Sequence, residues 1–256
     1  MQITQILTQN KKKYLTSFVL LVLVIILKNN LYAGRIESGS ISSEQEYLLF
    51  IPATFYKEYK EGNIYPVAIC LPGWGVKVKD DINVWKFAAE KKGLFLILPQ
   101  IDYAKINSYD DLLQVEINIF MILEDVKRQY PVDNKRVFLA GTSAGGMFSI
   151  NLALRYPDKF SGIGVISGCS LTRKDFMRWA NRSLANAKGQ RFYVIHGVKD
   201  PSVTITDCKT TIKKLENNGA IIKFEPVKEG AHTLPTEMYK KIIDWFASNI
   251  VVKGED

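Results

Sequence analysis

Histidine and cysteine are scarce: the 256-residue chain has two of the first and three of the second. His196 and His232 come with no HExxH and no paired-cysteine spacing, so no metal centre is expected. Cys70, Cys169 and Cys208 are an odd number without a CxxC, which excludes a small disulfide scaffold. Cys70 ends an apolar run and reads as a buried free thiol, while a Cys169–Cys208 bridge stays open. No Pro/Gly/Ser-rich tract, charge block, internal repeat or low-complexity stretch divides the middle of the chain, so one domain is expected over residues 46–250, behind a polar lead over 34–45. With 47% hydrophobic and 11% aromatic residues, disordered and collagen-like classes are excluded.

Acid is missing from the first 33 residues, which hold Lys11, Lys12, Lys13 and Lys28. The formal charge is +8 for the whole chain, but beyond residue 33 there are 30 bases against 26 acids, or +4. Those bases come as scattered pairs such as Lys91-Lys92 and Lys240-Lys241 in helix-like patterns. A phosphate-tracking surface needs them concentrated, so no nucleic-acid partner is expected.

After Lys11-Lys12-Lys13, the uncharged block Tyr14 to Leu27 is shorter than the ~20 residues that span a bilayer as a helix. With Ala33 and Gly34 behind it, residues 1–33 read as a secretory signal cleaved after Ala33. Leu31 stands where a small residue is preferred, so an uncleaved membrane tether is the alternative. Either way the body is expected outside the cytoplasm. The one N-x-S/T sequon, Asn181-Arg182-Ser183, matters only in a glycosylating host.

Short apolar runs then alternate with stretches of helical period. Strands are expected at 47–51, 67–71, 94–98, 137–140, 162–166, 192–195 and 221–226. Helices are expected at 82–92, 112–129, 146–155, 174–187, 206–217 and 236–249. Most strand runs are continuously apolar, which is the pattern of a mainly parallel sheet covered by helices on both faces. Gly93 and Gly219 stand where left-handed helix caps need glycine, and Pro131 and Pro157 follow two helix ends.

The chemistry concentrates at Arg136 to Met147: a strand, then G-x-S-x-G (Gly141-Thr142-Ser143-Ala144-Gly145), then an amphipathic helix. A serine held on a tight strand-to-helix turn is an exposed nucleophile, and the helix N-terminus faces the charge that develops on a substrate oxygen. Phosphate-cradle patterns fail: no lysine follows the glycines, and Ser143 stands where G-x-G-x-x-G has its middle glycine. A neutral serine needs a base, and in α/β-hydrolases the order is Ser, acid, His. Asp200 follows the strand ending at His196-Gly197, and His232 follows the last strand, so Ser143, Asp200 and His232 are the expected catalytic residues. His196 is expected to pack or hydrogen-bond beneath the Asp200 turn. For the oxyanion hole the expected backbone donors are Ala144 and Trp74, the latter in the Gly-flanked loop Pro72-Gly73-Trp74-Gly75.

From about Glu46 to Phe246 the chain resembles the α/β-hydrolase serine esterases of the polyhydroxybutyrate-depolymerase-like and feruloyl-esterase-like group. The resemblance is carried by Tyr65-Pro66-Val67, Trp85 to Gly93 with Phe95 to Pro99, Tyr130 to Val137 leading into Gly141 to Gly146, Tyr156 to Phe160, and His196-Gly197 with Asp200. Two departures are Pro72-Gly73 in place of the group's usual His-Gly, and Ala231-His232 in place of Gly-His. The resemblance implies a secreted serine hydrolase of carboxylic esters, small or polymeric, that needs no cofactor.

Phe176 and Trp179, in the long connection 171–189, are expected with Trp74 to wall an acyl pocket suited to short-chain, hydroxyalkanoate or hydroxycinnamoyl groups. A peptidase resembling the prolyl-oligopeptidase class has the same triad order, and a non-catalytic binding protein on this scaffold is the alternative from outside enzymes.

Overall fold

The computed structural model describes residues 34–42, 45–58, 60, 62–171 and 183–248. Among them, eight strands form one sheet in the order β1-β2-β4-β3-β5-β6-β7-β8. The strands are β1 (Arg35–Ser42), β2 (Gln45–Ile51), β3 (Tyr65–Leu71), β4 (Phe95–Pro99), β5 (Val132–Thr142), β6 (Gly162–Ile166), β7 (Arg191–Gly197) and β8 (Ile221–Val227). The β1–β2 and β2–β4 pairs are antiparallel. From β4 through β3, β5, β6 and β7 to β8 every pair is parallel. The helices are α1 (Ala53–Glu58), α2 (Val78–Lys92), α3 (Tyr109–Gln129), α4 (Ala144–Arg155), α5 (Ile205–Asn217) and α6 (Thr236–Ser248).

The continuous apolar runs are explained by helices on both faces. Val67, Ile69 and Leu71 of β3 pack with Leu112, Ile119 and Ile122 of α3 and Phe148 of α4. Their neighbours Ala68 and Cys70 point the other way, to Ile82 and Trp85 of α2 and Ile242 and Phe246 of α6. Beyond β5, Val165, Phe192 and Val194 pack with α4 and with Ile212 and Leu215 of α5. A strand with no solvent side has no reason to alternate, and each such side chain fully buried stabilises by roughly 1.5–3 kcal/mol.

The helix ends follow local chemistry. Ser108 caps α3, its hydroxyl accepting from Asp111 N at 3.1 Å, and Thr204 caps α5 through Asp207 N at 3.1 Å. Gly93 ends α2 with φ 62°, the left-handed value that only glycine takes without strain.

Three sequence expectations need correction or limits. The polar lead over 34–45 is in fact mostly β1, an edge strand paired with β2 along Arg35↔Ile51 to Ser42↔Gln45. An edge strand has one unpaired side and gains nothing from a long apolar run, so Ser38-Gly39-Ser40 hides it. Helix α1 was too short to show a period. Of the helix expected at 174–187, residues 174–182 lie outside the described residues, and Leu184–Ala187 is a 3-10 turn. The three cysteines are free and buried; Cys169 Sγ donates to the Cys208 carbonyl at 3.7 Å, with no bridge between them.

Candidate active site

The carboxyl ends of the parallel strands carry the expected residues. Ser143 sits between β5 and α4 with φ 53° and ψ −118°, one of two non-glycine residues at positive φ among those described, with Ser167 after β6 the other. The turn is tight enough that a Cβ on Gly145 would stand 2.2 Å from the Leu71 carbonyl oxygen. Any side chain there would push α4 off β3.

Ser143 Oγ lies 2.8 Å from His232 Nε2, and His232 Nδ1 lies 2.8 Å from Asp200 Oδ2. A carboxylate only accepts, so Nδ1 carries the proton and Nε2 offers its lone pair to the serine hydroxyl. The Asp200 side chain is fully buried while that of His232 is 30% exposed. Asp200 Oδ1 is held by the backbone N–H groups of Ser202 at 2.8 Å and Val203 at 3.0 Å. With both oxygens occupied, the carboxylate has one orientation, and the imidazole edge follows it.

Ala144 is the first residue of α4, so its N–H has no intrahelical acceptor. The loop bearing Trp74 approaches the same point: a Cβ on Gly73 would lie 3.7 Å from Ser143 Cβ. Both expected oxyanion donors are therefore on segments that border Ser143. Trp74 is 53% exposed, and its ring stacks on Tyr103, with centroids 6.0 Å apart and planes 23° apart. Phe176 and Trp179 lie outside the described residues.

Sequence reasoning missed the residues that fix the Trp74 loop. Tyr103, in a 3-10 turn after β4, is buried and donates its hydroxyl to the Pro72 carbonyl at 2.9 Å. At the other end Gln100 accepts from Val78 N at 3.1 Å and donates to Val76 O at 3.2 Å. The signal available was position: both residues directly follow a strand, where loops converge on a site. Asp81, in the first turn of α2, was also missed. It is buried, its Oδ2 has no hydrogen-bond partner, and burial raises its pKa to about 6. The same burial pushes the nearby Cys70 and Tyr103 groups up.

Among the described residues no group of three or more His, Cys, Asp or Glu could hold a metal ion.

Comparison with known proteins gives the same outline. The model of the phospholipase/carboxylesterase family matches residues 104–250. Over 145 residues the chain is 23% identical to a poly(3-hydroxyalkanoate) depolymerase C of Paucimonas lemoignei, covering 48% of this chain. It spans only 35% of that depolymerase's length. A ferulic acid esterase structure superposes with a TM-score of 0.67 at 16% identity, covering 86% of this chain and 99% of the other. An acylaminoacyl peptidase of Pyrococcus horikoshii superposes with a TM-score of 0.68 at 18% identity, covering 90% and 44%. At such identities a structural likeness is one of fold, here the α/β-hydrolase fold. The family match covers more than half of the chain, including Ser143, Asp200 and His232, and on that ground the protein belongs to the phospholipase/carboxylesterase family.

Proposed function

We propose that this protein hydrolyses carboxylic esters by a serine-nucleophile mechanism in which Ser143 attacks the acyl carbon, His232 Nε2 takes the hydroxyl proton, and Asp200 holds the imidazole. The tetrahedral oxygen accepts from the Ala144 and Trp74 backbone N–H groups. Collapse expels the alcohol with the proton returned by His232, and water then repeats the sequence on the acyl-enzyme. The observation that carries this reading is the unbroken chain Ser143 Oγ–His232–Asp200, at 2.8 Å for each contact, on a strained strand-to-helix turn.

The substrate class follows from the rim. An aromatic face at Trp74, stacked on Tyr103, suits a short or flat acyl group better than a long flexible chain. We expect acetyl, butyryl, hydroxyalkanoate and hydroxycinnamoyl esters to be cleaved in preference to long-chain triacylglycerols, by a protein exported through residues 1–33.

The test is a panel of nitrophenyl esters from acetate to palmitate, with methyl ferulate and an aminoacyl anilide added, run alongside labelling by a fluorophosphonate. Wild-type protein should label at Ser143 and prefer the short or aromatic esters, and Ser143→Ala should neither label nor turn over. A preference for palmitate overturns the substrate class, and cleavage of the anilide above all esters replaces the esterase by a peptidase. Terminal sequencing of exported protein should begin near Gly34.

A further inference from the structure

We infer that His196, the histidine outside the triad, is a positioning residue for Asp200 that acts through the Val203 backbone. The activity half of this inference rests on the esterase reading above.

His196 is the penultimate residue of β7 and is completely buried. Its Nε2 lies 2.8 Å from the Val203 carbonyl oxygen. A carbonyl can only accept, so His196 carries a proton on Nε2 and donates it there. The same Val203 residue gives its N–H to Asp200 Oδ1 at 3.0 Å. The contacts form a chain: His196 to Val203 O, Val203 N–H to Asp200 Oδ1, Asp200 Oδ2 to His232 Nδ1–H.

This chain of contacts has a reason to be needed. Asp200 stands in the turn 197–203, whose start is pressed against the His232 loop. Val198 N donates to Val227 O and Lys199 N to Gly230 O, both at 2.9 Å. A Cβ on Gly197 would come within 2.2 Å of the Ala231 carbonyl oxygen. That contact fixes the first half of the turn, residues 197–199. The second half, 200–203, leads into α5 and is tied back to β7 at its start, where Asp200 N donates to Gly197 O at 3.3 Å. His196 Nε2 adds a second tie at the far end, on Val203 O, and at 3.6 Å from Asp200 Oδ2 its N–H leaves that oxygen to His232. The titratable groups around His196 are Asp200 on its own turn and the Cys208 thiol on α5. Beside His232 the titratable group is Asp200, with the Lys199–Glu229 ion pair on the exposed rim.

The experiment uses full-length protein and three variants. His196→Gln places an amide N–H at nearly the same reach, His196→Leu fills the space without a donor, and His196→Asn carries the amide one methylene short. The chain has two histidines, so in every variant His232 is the only imidazole left, and its Nδ1–H signal in nitrogen-edited NMR reports the bond to Asp200 directly. Expected is a persistent Nδ1–H signal and near wild-type kcat/KM for His196→Gln. For His196→Leu the signal exchanges away and kcat/KM falls by about 10- to 100-fold, mostly in kcat, as misplacement of a catalytic group does. A leucine variant that keeps both signal and rate, or a glutamine variant as impaired as the leucine one, overturns the inference. Should the leucine variant not fold, glutamine and asparagine variants that behave alike overturn it equally. Loss of the signal in His196→Leu, in a protein whose wild type cleaves no ester, would support the positioning role and sink the esterase reading.

Discussion

Two loops serve Ser143, one after β3 bearing Trp74 and one after β7 whose Asp200 reaches it through His232, and the contacts that hold them differ in reach. The Asp200 turn is held by the His232 loop over 197–199 and from within over 200–203. Asp200 binds the N–H groups two and three residues ahead of it, and His196 binds a carbonyl seven residues ahead. The Trp74 loop is fixed from outside, by Tyr103 at one end and Gln100 at the other, 31 and 24 residues from the carbonyls they hold. Contacts within one turn need little beyond the turn's own sequence to form. A loop held from another strand forms only once the sheet has brought that strand alongside, so the oxyanion side should be the more easily loosened by a remote change.

The largest break is at the Asp200 turn. Asp200→Asn keeps the size and the two backbone contacts at Oδ1 but removes the acceptor that fixes the imidazole tautomer. Turnover on the best ester should fall by about 10⁴-fold with the melting temperature nearly unchanged. A variant within tenfold of wild type would detach Asp200 from the mechanism.

Next in size is Asp81, on the helix that follows the Trp74 loop. Its folded pKa of about 6 lies above the ordinary 3.8, so the folded state favours the protonated acid. The stability this contributes is fully present below pH 3.8 and is lost as pH rises through about 6. Asp81→Asn escapes that loss and should be more stable than wild type by about 2–3 kcal/mol at pH 8. At pH 3.5 there should be little difference, and denaturant melts at the two pH values would show it. Equal gains at both would mean that ionisation is not the cause.

The smallest effect tests the externally held loop. Tyr103→Phe removes one buried hydrogen bond to Pro72 and should cost about 1 kcal/mol of stability. If the loop presents the Trp74 N–H, kcat should fall by up to about tenfold while KM moves little, because the donor matters most in the transition state. A change confined to KM would instead make Tyr103 a substrate contact through its stack with Trp74.

The same contrast explains what could be read in the sequence. The parallel strands were legible because burial on both faces leaves runs such as Phe95-Leu96-Ile97-Leu98 without a polar break. Ser143, Asp200 and His232 were legible as a set because each follows a strand and is marked by nearby glycine. His196 was legible as a ring bonded beneath the Asp200 turn, since only a few residues separate donor and acceptor. Tyr103 and Gln100 were not, because nothing near them in the chain shows that Pro72 and Val76 will lie alongside. Strand β1 was illegible for another reason: its Ser-Gly-Ser stretch is what an exposed edge tolerates and what a loop looks like.

The backbone at Ser143 has one more consequence. A residue with a Cβ held at φ 53° costs the folded state about 1–3 kcal/mol, and glycine at the same place would not. Ser143→Gly should therefore melt at a higher temperature than the wild-type protein, while Ser143→Ala, which keeps the Cβ, should not. Selection for stability alone would have replaced this serine. Its presence makes the elbow a point where the chain gives up durability for a reactive hydroxyl, and an inactive Ser143→Gly protein would be the sturdier starting material for any engineering that tolerates loss of turnover.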